Sequence, residues 1–265
     1  MANNLPANEK PCEAPKDTTV TYCLAINVND GFVFCSDSRT NAGMDNIGCY
    51  SKMHCFVWEG NRVLTLLSAG NLATTQAVVK KLNNDVRQGL VPNLLSVPDM
   101  LDATDYVGMV STMMQRNQAS RDTANTNFEA SFIFGGQIGM APPETLFIYP
   151  QGNYIHESDD RPFLQIGEIK YGKPILDRVI KRDISLERAA RVALVSMNST
   201  IRSNVTVGPP IELLIYRRDS LVYPRRMSLS EDDPFGREIS DQWNLGLLQS
   251  LAMLPRFDWE VSKSD

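Results

Sequence analysis

Apolar residues first gather in two short runs, residues 22–28 and 32–35, parted by Asn29-Asp30-Gly31. Asp-Gly supplies the positive φ that a tight hairpin needs, so these runs predict two antiparallel strands. The second run is almost wholly apolar, the mark of a strand buried on both faces. Further strands are predicted over 54–58 and 62–68, around the turn Glu59-Gly60-Asn61. The period then changes. Leu72, Val78, Val79, Leu82 and Val86 recur at helical spacing and predict a helix over 72–90. A second is predicted over 98–115, with Leu101, Val107, Val110 and Met114 on one side, and its methionines read as core packing. A polar stretch, 118–126, reads as loop. Strands resume over 130–134, before Gly135-Gly136, and as a hairpin of 144–149 with 153–156. Two more helices follow, one near 170–180 and one capped by Ser185 that carries Leu186, Ala189, Ala190, Ala193 and Leu194. Runs at 211–216 and 221–223 close the strand set. The stretch 239–254 predicts an amphipathic helix, with Ile239, Trp243, Leu247 and Leu251 on one face.

Strands and helices thus come in blocks: strands, two helices, strands, two helices, strands, tail. Strict alternation would indicate a parallel doubly wound sheet. Blocks predict an α+β fold, two antiparallel sheets packed together with helix pairs outside. Residues 1–20 are polar, proline-containing and aperiodic, and read as a disordered or non-native extension ahead of a domain over 21–236. Residues 237–265 form a terminal helix and tail.

Composition narrows the function. The chain has 265 residues, 43% hydrophobic and 22% charged, with a net charge of −5. It has no basic stripe, so nucleic acid is not an expected partner. No apolar run reaches the roughly 18 residues of a membrane helix, and no signal-peptide pattern opens the chain. A cytoplasmic protein without membrane contact is expected. The five cysteines are odd in number, and Cys23 and Cys35 lie in strand patterns, as small buried hydrophobes do. The two histidines, His54 and His156, stand at no ligand spacing, so neither metal nor cofactor is expected.

Common hydrolytic motifs are missing. There is no G-x-S-x-G, no H-E-x-x-H and no glycine-rich phosphate loop. What stands out is the end of the second strand, where an apolar run delivers Ser36-Asp37-Ser38-Arg39-Thr40-Asn41. One chemistry suits it. An N-terminal threonine can be nucleophile and base at once, its α-amine accepting the hydroxyl proton. It needs a cation beside the hydroxyl, an acid to hold that cation, and backbone N–H groups for the oxyanion.

On these residues the chain resembles the N-terminal nucleophile (Ntn) hydrolases of the proteasome β-subunit and HslV type. In them a mature threonine opens a strand and an Asp-x-Arg or Asp-x-Gln ends the next, sixteen positions on. A lysine lies on the third strand. The resemblance implies Thr21 as nucleophile, Asp37 and Arg39 in register, and Lys52 in the lysine place, one residue earlier than the proteasome spacing. Asn41-Ala42-Gly43 matches the small-residue turn. "LLSAGNLATTQAVV" is similar to the strand-to-helix turn whose glycine, here Gly70, serves the oxyanion hole. Blocks such as "TYC", "SDSRTNAGMDNI", "KMH", "GEIKYGKPILDR" and "RSNVTVGPPIEL" most resemble the bacterial proteasome homologues called Anbu, from about Thr21 to Leu254. Such a resemblance implies the four-layer αββα sandwich, self-association into rings or related oligomers, and cleavage of a peptide, isopeptide or smaller amide. It leaves open a non-catalytic scaffold or shell subunit.

The pattern departs at three places. Val20, not glycine, precedes Thr21. Translation starting at codon 20 would expose Thr21 after methionine removal, and self-cleavage after Val20 is the rival route. Glu168 falls near a proteasomal serine, where it would act on the α-amine, bind a substrate amine, or merely favour a helix N-terminus. The Asp and Ser ahead of the family's Gly-Gly become Ser203 and Thr206, or Asn204 and Val207, according to register; the first pair is preferred.

Overall fold

Alternation along the central strands decides the architecture. In β1 (Tyr22–Val28), Tyr22, Leu24 and Ile26 point one way and Cys23 and Ala25 the other, yet all are buried. β2 (Gly31–Asp37) does the same, with Val33 and Cys35 opposed to Phe32 and Phe34. Strands buried on both faces need a layer on each side. The computed structural model describes residues 21–41, 47–123 and 126–261, so the expected extension over 1–20 and most of the turn Asn41-Ala42-Gly43 lie outside the described residues.

Two antiparallel five-stranded sheets face each other. The first has the order β10-β1-β2-β11-β12, with β10 (Phe163–Gly167), β11 (Ile211–Arg217) and β12 (Arg225–Leu229). The second has the order β5-β6-β7-β8-β9, with β5 (Met53–Trp58), β6 (Arg62–Gly70), β7 (Ala130–Ile138), β8 (Glu144–Ile148) and β9 (Tyr154–His156). A short ribbon, β3 (Arg39–Asn41) with β4 (Ile47–Cys49), stands apart. Cys23, Phe32, Phe34, Met53, Val63 and Ile133 join the sheets. Outside the second sheet, Leu64 and Phe132 meet Val78 of α1 (Leu72–Gln88) and Val107 of α2 (Met100–Ala119). Outside the first, Tyr22 and Leu24 meet Leu176 of α3 (Lys173–Val179) and Ala193 of α4 (Leu186–Ser203). The layers are helices, sheet, sheet, helices, as expected of the Ntn-hydrolase sandwich.

Several elements differ from expectation. Residues 221–223 are loop, with Asp219 at φ 62° and Leu221 at φ 46°; the strand comes after Pro224 as β12. That strand reads Arg-Arg-Met-Ser-Leu and lies at a sheet edge, where charge is tolerated and blocks edge pairing, so apolar alternation does not mark it. β10 and the β3–β4 ribbon were not predicted either. α2 runs on to Ala119, into the stretch read as loop. α5 (Pro234–Ala252) starts ahead of Ile239 because Asp233 caps it, accepting from Gly236 N at 2.9 Å, and so it crosses the 236/237 boundary. Ile239 packs on the α4 core, while Leu247, Leu248 and Leu251 are exposed. A short α6 (Asp258–Val261) follows.

One buried charge ties α1 to α2. Asp85 accepts from Tyr106 Oη at 2.6 Å and from Lys81 Nζ at 2.6 Å. Burial pushes the Asp85 pKa up, but the bonds from Lys81 and Tyr106 outweigh it and hold the group below its ordinary value. A carboxylate lowered on folding stabilises above its unfolded pKa, and that stability is lost as pH falls through the folded pKa. Tyr106→Phe is expected to cost about 1.5–3 kcal/mol at neutral pH, the range for a hydrogen bond to a charged group. Urea denaturation across the acid range should show the gap to wild type narrowing as Asp85 protonates.

Candidate active site

The register Cys23↔Ser36 between β1 and β2 carries Thr21 and Tyr22 alongside Asp37, the last residue of β2. Asp37 is 0% exposed, Thr21 4% and Lys52 8%. Oδ1 of Asp37 accepts from Thr21 Oγ1 at 2.5 Å, Lys52 Nζ at 2.7 Å and Tyr22 N at 3.1 Å. Oδ2 accepts from Gly208 N at 3.4 Å. A buried carboxylate needs this much compensation, from a cation and further donors. Lys52 stands just ahead of β5, and its carbonyl accepts from Ser68 N of β6 at 3.0 Å. Its ammonium also donates to Arg39 O at 2.7 Å. Asp37 thus joins Thr21 and Lys52, the three residues that the family resemblance singled out.

Arg39 binds through its backbone and its head. Its N–H donates to Gly208 O at 3.3 Å, and Nη1 donates to Val205 O at 2.8 Å. Its partners among the described residues are carbonyls; no carboxylate pairs with it there. The guanidinium lies flat on Gly208, where a Cβ would stand 2.3 Å from Cζ. Gly70 ends β6 at φ 107°, followed at once by Asn71, whose side chain caps α1 by accepting from Thr74 N at 3.1 Å. Cys23 Sγ, 3.7 Å from Ser68 O, links β1 to the end of the strand that carries Gly70. Burial pushes the thiol of Cys23 well above its ordinary pKa, which keeps it a neutral hydrophobe.

The third side of the site is β10. Glu168 N donates to Thr21 O at 2.7 Å. Gly167 sits at φ 83°, and a Cβ there would be 1.9 Å from Thr21 O, so only glycine allows this approach. The Glu168 carboxylate accepts from Asn204 Nδ2 at 3.0 Å and lies 3.6 Å from Lys170 Nζ. Asn204 Oδ1 in turn accepts from Thr206 N at 3.0 Å and Thr206 Oγ1 at 2.6 Å. Ser203 stands exposed at the last residue of α4. The structure therefore draws Asn204 from one of the two registers left open and Thr206 from the other.

A clamp beside Lys52 escaped the sequence reading. Arg226 of β12 ion-pairs with Glu212 of β11 and reaches Ser51 Oγ at 3.2 Å and Met53 O at 3.3 Å. Ser51 Oγ donates to Glu212 Oε2 at 2.7 Å. The residues on either side of Lys52 are thereby fastened to the opposite sheet. Burial alone would lower the Arg226 pKa; the charge of Glu212 and its hydrogen bond raise it instead. The available signal was Glu212 itself, an acid inside the apolar run Ile211–Arg217 that needs a partner. Among the described residues, no three His, Cys, Asp or Glu side chains converge to hold a metal.

Lys52→Ala leaves the Asp37 carboxylate buried without its cation and is expected to destabilise by about 3–5 kcal/mol. Adding Asp37→Asn to Lys52→Ala should recover part of that loss, a coupling that a double-mutant cycle by urea denaturation measures.

Comparisons with family models and with curated proteins return no match. Solved structures do match. The chain is 47% identical to the protein described as the helical assembly of the Anbu complex from Pseudomonas aeruginosa, covering 89% of this chain and 98% of that one, with a TM-score of 0.86. It is 44% identical to an Anbu (Gly-1) mutant from Hyphomicrobium sp. strain MC1, covering 90% and 99%, with a TM-score of 0.83. Anbu, the ancestral β-subunit, from Yersinia bercovieri is 40% identical over 90% and 100%, with a TM-score of 0.85. Identity at that level, sustained along nearly the whole chain on one shared fold, makes this protein a member of the Anbu family of ancestral proteasome β-subunits.

Proposed function

We propose that the chain is an N-terminal threonine hydrolase that cleaves peptide or isopeptide bonds, with Thr21 as nucleophile. The observation that carries this reading is the Thr21 hydroxyl seated on a buried carboxylate that also binds Lys52. The mechanism requires Thr21 to be the first residue of the active form, with a free α-amine. An α-amine titrates at about 8, so much of it is neutral at physiological pH. It takes the hydroxyl proton as Oγ1 attacks the substrate carbonyl. The Lys52 ammonium favours the developing alkoxide, and Asp37 keeps that ammonium in place. The Gly70 amide receives the oxyanion. The proton then passes to the leaving amine, and water hydrolyses the ester on Thr21. Arg39 holds the Gly208 loop against Asp37. Glu168, with Asn204 and Thr206 behind it, sets the charge near the α-amine.

The reading extends to assembly and compartment. The Pseudomonas aeruginosa relative forms a helical assembly. We take this chain to self-associate likewise, with residues 21–236 as the hydrolase domain. The exposed Leu247, Leu248 and Leu251 of α5 form an apolar surface of the kind that subunit contacts cover. No described helix is long and apolar enough to cross a membrane. The described cysteines, Cys23, Cys35, Cys49 and Cys55, are free thiols, which suits the reducing cytoplasm.

The test starts with intact mass and N-terminal sequencing of protein from its own host. A chain that begins at Thr21 is expected. On fluorogenic peptide amides, Thr21→Ala should then cost about a thousandfold or more in kcat, as loss of a nucleophile does. Full activity in Thr21→Ala, or a native chain that keeps residues ahead of Thr21, overturns the reading in favour of a scaffold subunit.

A further inference from the structure

A cavity of about 370 Å³ lies on the helix side of the first sheet, between α4, the start of α5 and the strand ends at β11 and β12. Leu194, Met197, Ile201, Ile211, Leu229 and Ile239 make its apolar wall. Most of these belong to the core between sheet and helices, whereas Cys23, next but one to Thr21, faces the other sheet. The cavity thus lies on the helix side of the sheet, where Ile211 of its wall stands beside Asp37 in the β2–β11 register. Its volume falls in the range that takes small ligands, roughly 300–1,000 Å³.

The charges around it are unequal. Arg237 is already engaged, donating from Nη2 to Asp232 O at 2.6 Å and pairing with Asp232 Oδ1 at 3.2 Å. Glu231 is exposed at the rim. Arg39 offers Nη1 to Val205 O, and no carboxylate among the described residues neutralises it. One guanidinium against an apolar wall suits a singly charged planar anion with a hydrocarbon body. Guanidinium and carboxylate match as paired, charge-assisted hydrogen bonds, whereas a phosphate dianion would ask for more donors than the wall supplies.

We propose that this cavity binds a small amphipathic monocarboxylate, its carboxylate on Arg39 and its apolar body along α4 and α5. The site is one step from the candidate catalytic group. Arg39 O accepts from Lys52 Nζ, and Arg39 N donates to Gly208 O, whose own N–H donates to Asp37. A ligand on Arg39 thus loads the same backbone that holds Asp37 and Lys52. Binding itself does not depend on Thr21 being a nucleophile.

The experiment is calorimetric titration of the full chain with octanoate and, as an uncharged control, octanamide. Saturable octanoate binding is expected, with octanamide about tenfold weaker or more because it lacks the charge-assisted pair. Arg39→Gln should bring octanoate down to the octanamide level and leave octanamide unchanged. Ser240→Trp places an indole in the cavity from α5 and should abolish both. Circular dichroism checks the fold of each variant; if Arg39→Gln fails to fold, Ser240→Trp and the wild-type comparison of acid with amide decide. No saturable octanoate binding, equal affinity for acid and amide, or binding that survives Ser240→Trp overturns the proposal.

Discussion

The carboxylate of Asp37 is the constraint on which the site depends. A fully buried charge is costly, and this one is tolerated because donors converge on it from separate parts of the chain: β1 through Thr21 and Tyr22, the approach to β5 through Lys52, and the α4–β11 connection through Gly208. Those segments belong to both sheets and to the loop leaving α4. The sandwich must close in one register for the charge to be met, so Asp37 couples the assembly of the layers to the geometry of the site.

The clamp around Lys52 follows the same logic from the other side. Lys52 would be a long, mobile side chain if its backbone were free. Ser51 and Met53 are instead fastened to Glu212 and Arg226 of the opposite sheet, and the Lys52 carbonyl is fixed by Ser68. The ammonium then needs only a short reach to Asp37 and Arg39 O. Preorganisation of this kind is bought by the fold, before any substrate arrives. Gly167 and Gly208 serve it by omission: at each, a Cβ would collide with Thr21 or with Arg39.

Local periodicity made most of the fold legible. The doubly buried β1 and β2 and the helices α1 and α4 announce themselves through runs and spacings that their own burial requires. β12 and β10 do not. β12 is an edge strand whose exposed positions carry arginine and serine, and β10 is a short strand that joins by pairing with β1 across a gap of more than a hundred residues. Thr21, Asp37 and Lys52 were singled out through the family resemblance, whose motifs fall on two hairpins nearly consecutive in sequence. Asn204 was harder: its role rests on reaching Glu168, thirty-six residues away, and spacing within "RSNVTVGPP" cannot choose between adjacent registers. Glu212 and Arg226 lay in different strands whose pairing the sequence did not show.

The Glu168 arrangement bears directly on how a threonine amine could work here. A carboxylate close to an amine favours the ammonium form, which is the wrong form for a base. In this structure that charge is not left whole. Asn204 donates to it, Thr206 steadies Asn204, and Lys170 stands 3.6 Å away with its ammonium on the solvent side. Those groups share the carboxylate with any amine brought beside it. Under the proposed chemistry, the part given to Glu168 is to orient the α-amine. Asn204 contacts the carboxylate directly from the loop that also delivers Gly208 to Asp37.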